Sequence, residues 1–200
     1  MKTARAHKVI GVILTVPLLA WSLTGIVFLI KPGYDGAYEK LSVKTHPMEK
    51  SFTLGPQENA HEARLTRTVL GYHLLLNGSG GRQHLEPATL KPKALPSDAD
   101  TARLIQDAIE VNPDRYGVIV EFAEGQAITS TDVVITLDWL NLSLAQSGRD
   151  TRLIDTLYKI HYLQWLGWPT ADVALGTAGI VLLLLLTGLG LAGLLNSNRK

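Results

Sequence analysis

Six histidines, His7, His46, His61, His73, His84 and His161, are the side chains here best suited to metal or redox chemistry, because the 200-residue chain has no cysteine. That absence removes disulfides, thiolate nucleophiles, iron–sulfur clusters, covalent CxxCH haem and cysteine zinc knuckles. Hydrolytic chemistry finds no support either. There is no HExxH and no GxSxG, and Glu121, Asp132 and Asp138 are scattered, where a solvated carboxylate is the ordinary outcome. The spacing of the histidines is more informative. His7 and His161 each lie close to a long apolar run, whereas His73 and His84 flank the turn signal Asn77-Gly-Ser-Gly-Gly81. If Asn77 faces Arg82 across that turn, Leu75 faces His84 and His73 faces Glu86. His73, His84 and Glu86 then share one face of a hairpin, a weak candidate site for a divalent metal; solvated polar residues are the alternative. A register slip of one residue would separate them. His46 and His61 have no partner that spacing can assign.

The elements that must position these residues are unlike one another. Val9–Ile30 is 22 residues without a charge, and Val173–Leu195 is 23 more. Helices of that length reach about 33–35 Å, enough for a hydrocarbon core of about 30 Å. Both are expected to span a membrane, the first as an uncleaved signal anchor, since its run exceeds a signal peptide's apolar core. No third stretch approaches spanning length, which excludes a polytopic transporter. Lys2, Arg5 and Lys8 precede the first run, and Arg199 and Lys200 follow the second. Taking these five from the 19 basic residues leaves 14 against 18 acids between the runs. The positive-inside rule then places both termini in the cytoplasm. The expected order is a cytoplasmic 1–8, spanning helix 9–30, an outer domain 31–172, spanning helix 173–195 and a cytoplasmic 196–200. The location is the bacterial inner membrane, with the domain in the periplasm and Tyr34, Tyr38, Trp165 and Trp168 at its membrane boundary. The short inner ends are expected to hold no ATP, NAD or flavin site. The GxGxxG lettering of Gly188-Leu-Gly190-Leu-Ala-Gly193 falls inside an apolar run without a preceding strand, so it is read as small-residue helix packing, with Ala174/Ala178 and Gly188/Ala192.

The outer segment reads as α+β. Thr66–Asn77 and Gln83–Leu90 are expected to pair as a hairpin. Ser97 or Asp98 caps a helix with the stripe Ala102, Ile105, Ala108 and Ile109, stopped by Asn112-Pro113. Val118–Phe122 and Val133–Leu137 read as antiparallel strands, with a third over Trp139–Leu144. Arg149–Trp165 reads as an amphipathic helix. The segment carries net −4 and no basic stripe, so nucleic acid is not an expected partner.

Arg5-Ala-His7-Lys-Val-Ile-Gly11 followed by Ser22-Leu-Thr24-Gly25 resembles the opening helix of the PepSY-associated transmembrane family. Ile135-Thr-Leu-Asp138, Asp155-Thr-Leu-Tyr-Lys-Ile-His161 and Leu166-Gly167 resemble the family's passage from its last PepSY strand to the next membrane helix. Leu186-Thr-Gly188 echoes Leu23-Thr-Gly25. The resemblance implies two transmembrane helices flanking a PepSY-like extracytoplasmic domain, one helix on an antiparallel sheet over Asp98–Leu144. Larger relatives have four or more helices, and some are linked to ferric-siderophore reduction with haem held by membrane histidines. With two spanning helices, this chain is similar to half of such a protein.

His7 at the inner mouth and His161 at the outer mouth are candidate axial ligands of b-type haem. On opposite sides of a bilayer they cannot share one haem within one chain. A homodimer removes the difficulty: each histidine meets its counterpart in the second copy, giving two stacked haems in a four-helix bundle. The reading is then an oxidoreductase subunit that carries electrons toward iron-chelate reduction. Two alternatives stay open. His7 is also suited to being an interfacial basic residue and His161 a packing histidine, in a non-enzymatic module that binds or regulates a periplasmic protein or serves as accessory subunit of a membrane complex.

Overall fold

A computed structural model of the chain describes residues 2–57 and 59–197; Arg199 and Lys200, used above for orientation, lie outside the described residues. In chain order the elements are α1 (Lys2–Ile30), α2 (Tyr34–Ala37), β1 (Ala60–Thr68), β2 (Gly71–Gly78), β3 (Gly81–Leu85), α3 (Asp98–Ile109), α4 (Pro113–Tyr116), β4 (Ile119–Ala123), β5 (Gln126–Thr129), β6 (Val134–Asp138), β7 (Ser143–Ser147), α5 (Arg149–His161) and α6 (Pro169–Ser197). They form two compact units: residues 1–34 with 152–200, and Asp35–Thr151.

The first unit is helical. α1 and α6 pack antiparallel, with Gly11 of α1 beside Leu186 of α6. Each has 27 residues apolar enough to cross a membrane, and large side chains such as Val12, Val16, Leu29, Leu184 and Leu194 are exposed. A core helix of a soluble protein would bury them; lipid-facing helices do not. The hydroxyls of Thr15, Thr24, Thr177 and Thr187 donate to carbonyls four residues back, so these polar groups are satisfied within their own helices. Residues 152–172 cluster with these helices. α5 ends at His161, not Trp165, because Leu163 turns to φ 56° and the chain folds back before α6.

The second unit holds two antiparallel sheets, β1-β2-β3 and β4-β5-β6-β7, with α3 on the second. Ser97 caps α3 by accepting from the Asp100 N–H. Its buried face is Thr101, Leu104, Ile105, Ala108 and Ile109, while Ala102 is only half-buried. Ile105, Ala108 and Ile109 meet Leu41, Tyr116, Ala127, Val133 and Ile135 in one core, and Leu74, Leu76 and Leu85 form a smaller one. Apolar periodicity thus builds the helix-on-sheet layer, and burial of that stripe is its main stabilising term.

Several expected boundaries differ. Thr66–Asn77 is two strands, because the chain reverses at Val69-Leu70 and Thr68 pairs with Gly71 at φ 97°. β3 stops at Leu85 rather than Leu90, where a turn closes from the Leu90 N–H to the Glu86 carbonyl. β5 lies where no strand was expected. The last strand is Ser143–Ser147 rather than Trp139–Leu144, since Trp139–Leu142 forms the reversal after β6. Asn112-Pro113 opens the short α4 as well as ending α3.

Candidate functional site: histidines at two levels of the helices and a buried pair

His161 ends α5 and its Nδ1 lies 2.9 Å from the Thr24 Oγ1. The Thr24 hydroxyl also lies 2.8 Å from the Ala20 carbonyl and 3.1 Å from that of Trp21; when it donates to either, the ring donates to it, with the proton on Nδ1 and the lone pair on Nε2. The half-buried imidazole stacks on Trp21 at 5.5 Å and meets Phe28 and Tyr162 edge-on at 5.0 and 5.4 Å. His7 shows the same polarity at the other end of α1. Its Nδ1 lies 3.1 Å from the Leu186 carbonyl, which can only accept, so in the neutral ring Nε2 carries the lone pair. Nε2 of neither ring has a hydrogen-bond partner among the described residues, and His7 is exposed. A ring held through one nitrogen by a carbonyl or hydroxyl, with the other free, is the arrangement of a metal-ligating imidazole.

The 17 residues from His7 to Thr24 correspond to about 26 Å of helix, so the two rings sit at different depths. Small residues let His7 approach α6, though at another position than expected. Gly188 has open space around it, whereas a Cβ on Gly190 would stand 3.2 Å from the His7 Cε1.

His73 and His84 are brought together. The hairpin register is Asn77 to Arg82 and Leu75 to His84, and the rings bond from His73 Nδ1 to His84 Nε2 at 2.9 Å. His84 Nδ1 donates to the Trp139 carbonyl at 2.6 Å, which makes its Nε2 an acceptor. His73 Nδ1 is therefore the donor between the rings, and its Nε2 accepts from the Thr68 hydroxyl at 2.8 Å. All four nitrogens are used with both rings neutral. Burial, the nearby Lys93 ammonium and His84 push His73 down to about 3, and burial also lowers His84 against the pull of the Trp139 carbonyl. Glu86 is turned to Lys93, Oε2 to Nζ 2.6 Å. Among the described residues no group of three histidines and acids is gathered as a metal site.

The remaining candidates have ordinary partners or face solvent. His46 bonds Asp107 at 2.7 Å, and His61 is exposed on β1. Asp132 pairs with Arg149, Glu121 is exposed, and hydrogen bonds from Asn141 hold Asp138 below the usual carboxylate range. Sequence reasoning missed Arg115, which reaches Asp150 at 2.7 Å, Gln146 at 2.7 Å and Glu39 at 3.8 Å. Burial opposes the Asp150 charge, but bonds from Arg115 and the Thr151 N–H outweigh it and hold Asp150 low. Nothing local marked this hub, because its members are up to 111 residues apart in sequence.

Two long apolar helices flanking an α+β domain in sequence, with an imidazole set at each end of the helix pair, define a membrane protein with an extramembrane domain. The family model described as PepSY-associated TM region matches residues 2–192, and the chain belongs to that family. No curated protein and no solved structure matches it.

Proposed function

We propose that this membrane PepSY protein is a b-type haem electron-transfer subunit acting as a homodimer, with His7 of two copies holding one haem and His161 of two copies the other. The reading carries both termini in the cytoplasm of a bacterial inner membrane, the α+β domain in the periplasm, and an iron chelate as electron acceptor. What supports it above all is the matched polarity of the two imidazoles, each fixed through Nδ1 and each with a free Nε2 lone pair. Haem would supply reversible one-electron iron chemistry at these positions. The chain's own residues set the stage: Thr24 and the Leu186 carbonyl select the tautomer, while Trp21 and Phe28 cover the His161 ring from water. A second copy would supply the second axial nitrogen at each level, because His7 and His161 are separated by about 26 Å of helix and cannot share one haem.

The test is the visible spectrum of detergent-purified protein expressed with ample haem. A reducible Soret band with about one haem per chain is expected, falling by about half in His7→Ala and again by about half in His161→Ala. A colourless, folded wild type overturns the reading. It would favour the non-enzymatic module instead, for which one observation speaks: β4 is an end strand of its sheet, with Val120 in it and Val118 just before it exposed, an edge on which a partner strand could add.

A further inference from the structure

A cavity of about 660 Å³ opens at the corner where α5 turns into α6. Its polar rim is Lys159, Tyr162, Gln164 and Thr177, and its α6 wall runs from Asp172 and Val173 to Gly176 and Thr177, positions one turn apart on one helix face. The neighbouring Trp165 and Trp168 are 43% and 73% exposed, the placement of an interfacial aromatic belt. The cavity therefore lies at the water–lipid boundary, on apolar helix surface that continues into the hydrocarbon.

Asp172 is the residue that needs explaining. It is 9% exposed, and only one of its oxygens is used, Oδ1 accepting the Leu166 N–H at 2.9 Å. Among the described residues Oδ2 has no hydrogen-bond partner and no cation forms an ion pair with the carboxylate, although the side chain lines the cavity. Oδ2 is open to the cavity, so a donor or cation bound there could reach it. Lys159, on the same rim, has no ion pair of its own among the described residues. The site thus offers a largely buried carboxylate with one oxygen open to the cavity, beside an exposed ammonium and above an apolar wall.

We infer that this corner binds a phospholipid with a primary-amine zwitterionic headgroup, phosphatidylethanolamine. The ammonium donates to Asp172 Oδ2, the phosphate meets Lys159, and an acyl chain follows the α6 surface past Val173 and Gly176. A trimethylammonium headgroup lacks N–H donors, and an anionic headgroup without an amine leaves Asp172 unanswered. This goes beyond the haem reading and does not depend on it.

Gly176 supplies a clean variant. Nothing lies within 4 Å of where its Cβ would be, so a larger side chain enters the cavity without displacing protein. Asp172→Asn keeps an oxygen for the Leu166 N–H while removing the charge. The experiment is native mass spectrometry of delipidated full-length protein titrated with phosphatidylethanolamine, phosphatidylcholine or phosphatidylglycerol of one chain composition. Retention of phosphatidylethanolamine about tenfold above the other two, lost in both Asp172→Asn and Gly176→Leu at unchanged melting temperature, is the expected result. Equal retention of the three lipids, preference for phosphatidylglycerol, or a phosphatidylethanolamine preference that survives both substitutions overturns it.

Discussion

At His73 and His84 each ring nitrogen already has a role that a second proton would spoil. The Trp139 carbonyl accepts from His84 Nδ1–H, His84 Nε2 accepts from His73 Nδ1–H, and the Thr68 hydroxyl donates to His73 Nε2. The charged groups facing the pair are Lys93 and, beyond it, Glu86. An unfolded histidine titrates near 6.5, whereas His73 is pushed down to about 3. As pH falls through 6.5 the unfolded chain takes up a proton that the folded ring refuses. The stabilisation present above pH 6.5 is therefore lost progressively toward pH 3, at up to about 1.4 kcal/mol per pH unit for one such ring. Thermal unfolding of the full chain at about pH 7.5, 6 and 4.5 should show that slope. The double variant His73→Phe/His84→Phe should flatten it, and a slope unchanged in that variant contradicts the assignment. Arg115 is the other sensitive point: Asp150→Ala removes one partner of a half-buried guanidinium and should cost about 2 kcal/mol, read as a lower urea midpoint. The two cases differ in how visible they were in advance. The turn at Asn77–Gly81 fixes the hairpin register by local chemistry, so the side-by-side placement of His73 and His84 could be read from spacing. Trp139 and the partners of Arg115 arrive from other elements, and no local pattern encodes them.

Among the elements, the contact of α1 with α6 rests on where small residues fall relative to the partner helix. Gly190 faces the His7 ring and Gly188 does not. Gly190→Leu should therefore separate the helices or displace His7, at a cost of about 1–3 kcal/mol, whereas Gly188→Leu should melt like wild type. Melting curves in detergent distinguish them; equal effects from both would show that helix-wide small-residue content, not position, sets the packing. Gly71 offers a parallel case in the sheet. Its φ of 97° is open to glycine but strained for other residues, so Gly71→Val should cost more than about 1 kcal/mol in urea unfolding. The same two elements show why legibility was uneven. Spanning helices are written in more than 20 consecutive uncharged, mostly apolar residues, and α3 in a cap plus a stripe, so both survive local noise. The β1–β2 reversal uses Val69 and Leu70, residues with strand rather than turn preference, and Gly71 alone was too small a signal. β5 has only four residues, Gln126–Thr129, alternating too briefly for periodicity to register.

For the molecule as a whole, near-neutral charge and 46% apolar content are averages over two chemically distinct units. Asp35–Thr151 contains every member of both hydrophobic cores, the His73–His84 pair and the whole Arg115 network. Residues 1–34 with 152–200 contain both spanning helices, His7 and His161. A unit whose core and polar network are both internal has what it needs to fold without the rest. Residues 35–151 expressed alone should be soluble and monomeric, and should unfold in urea in one cooperative step with a slope of about 1–2 kcal/mol/M. That unit should also keep the acid sensitivity between pH 6.5 and 3, because the groups responsible are all within it. Circular dichroism and intrinsic fluorescence followed through the same titration give the answer. Coincident transitions that shift with pH locate the acid sensitivity in the unit 35–151. Non-coincident or broad transitions would mean that the helices are required to complete its fold, and any pH-dependent behaviour of the full chain would then belong to the assembled protein.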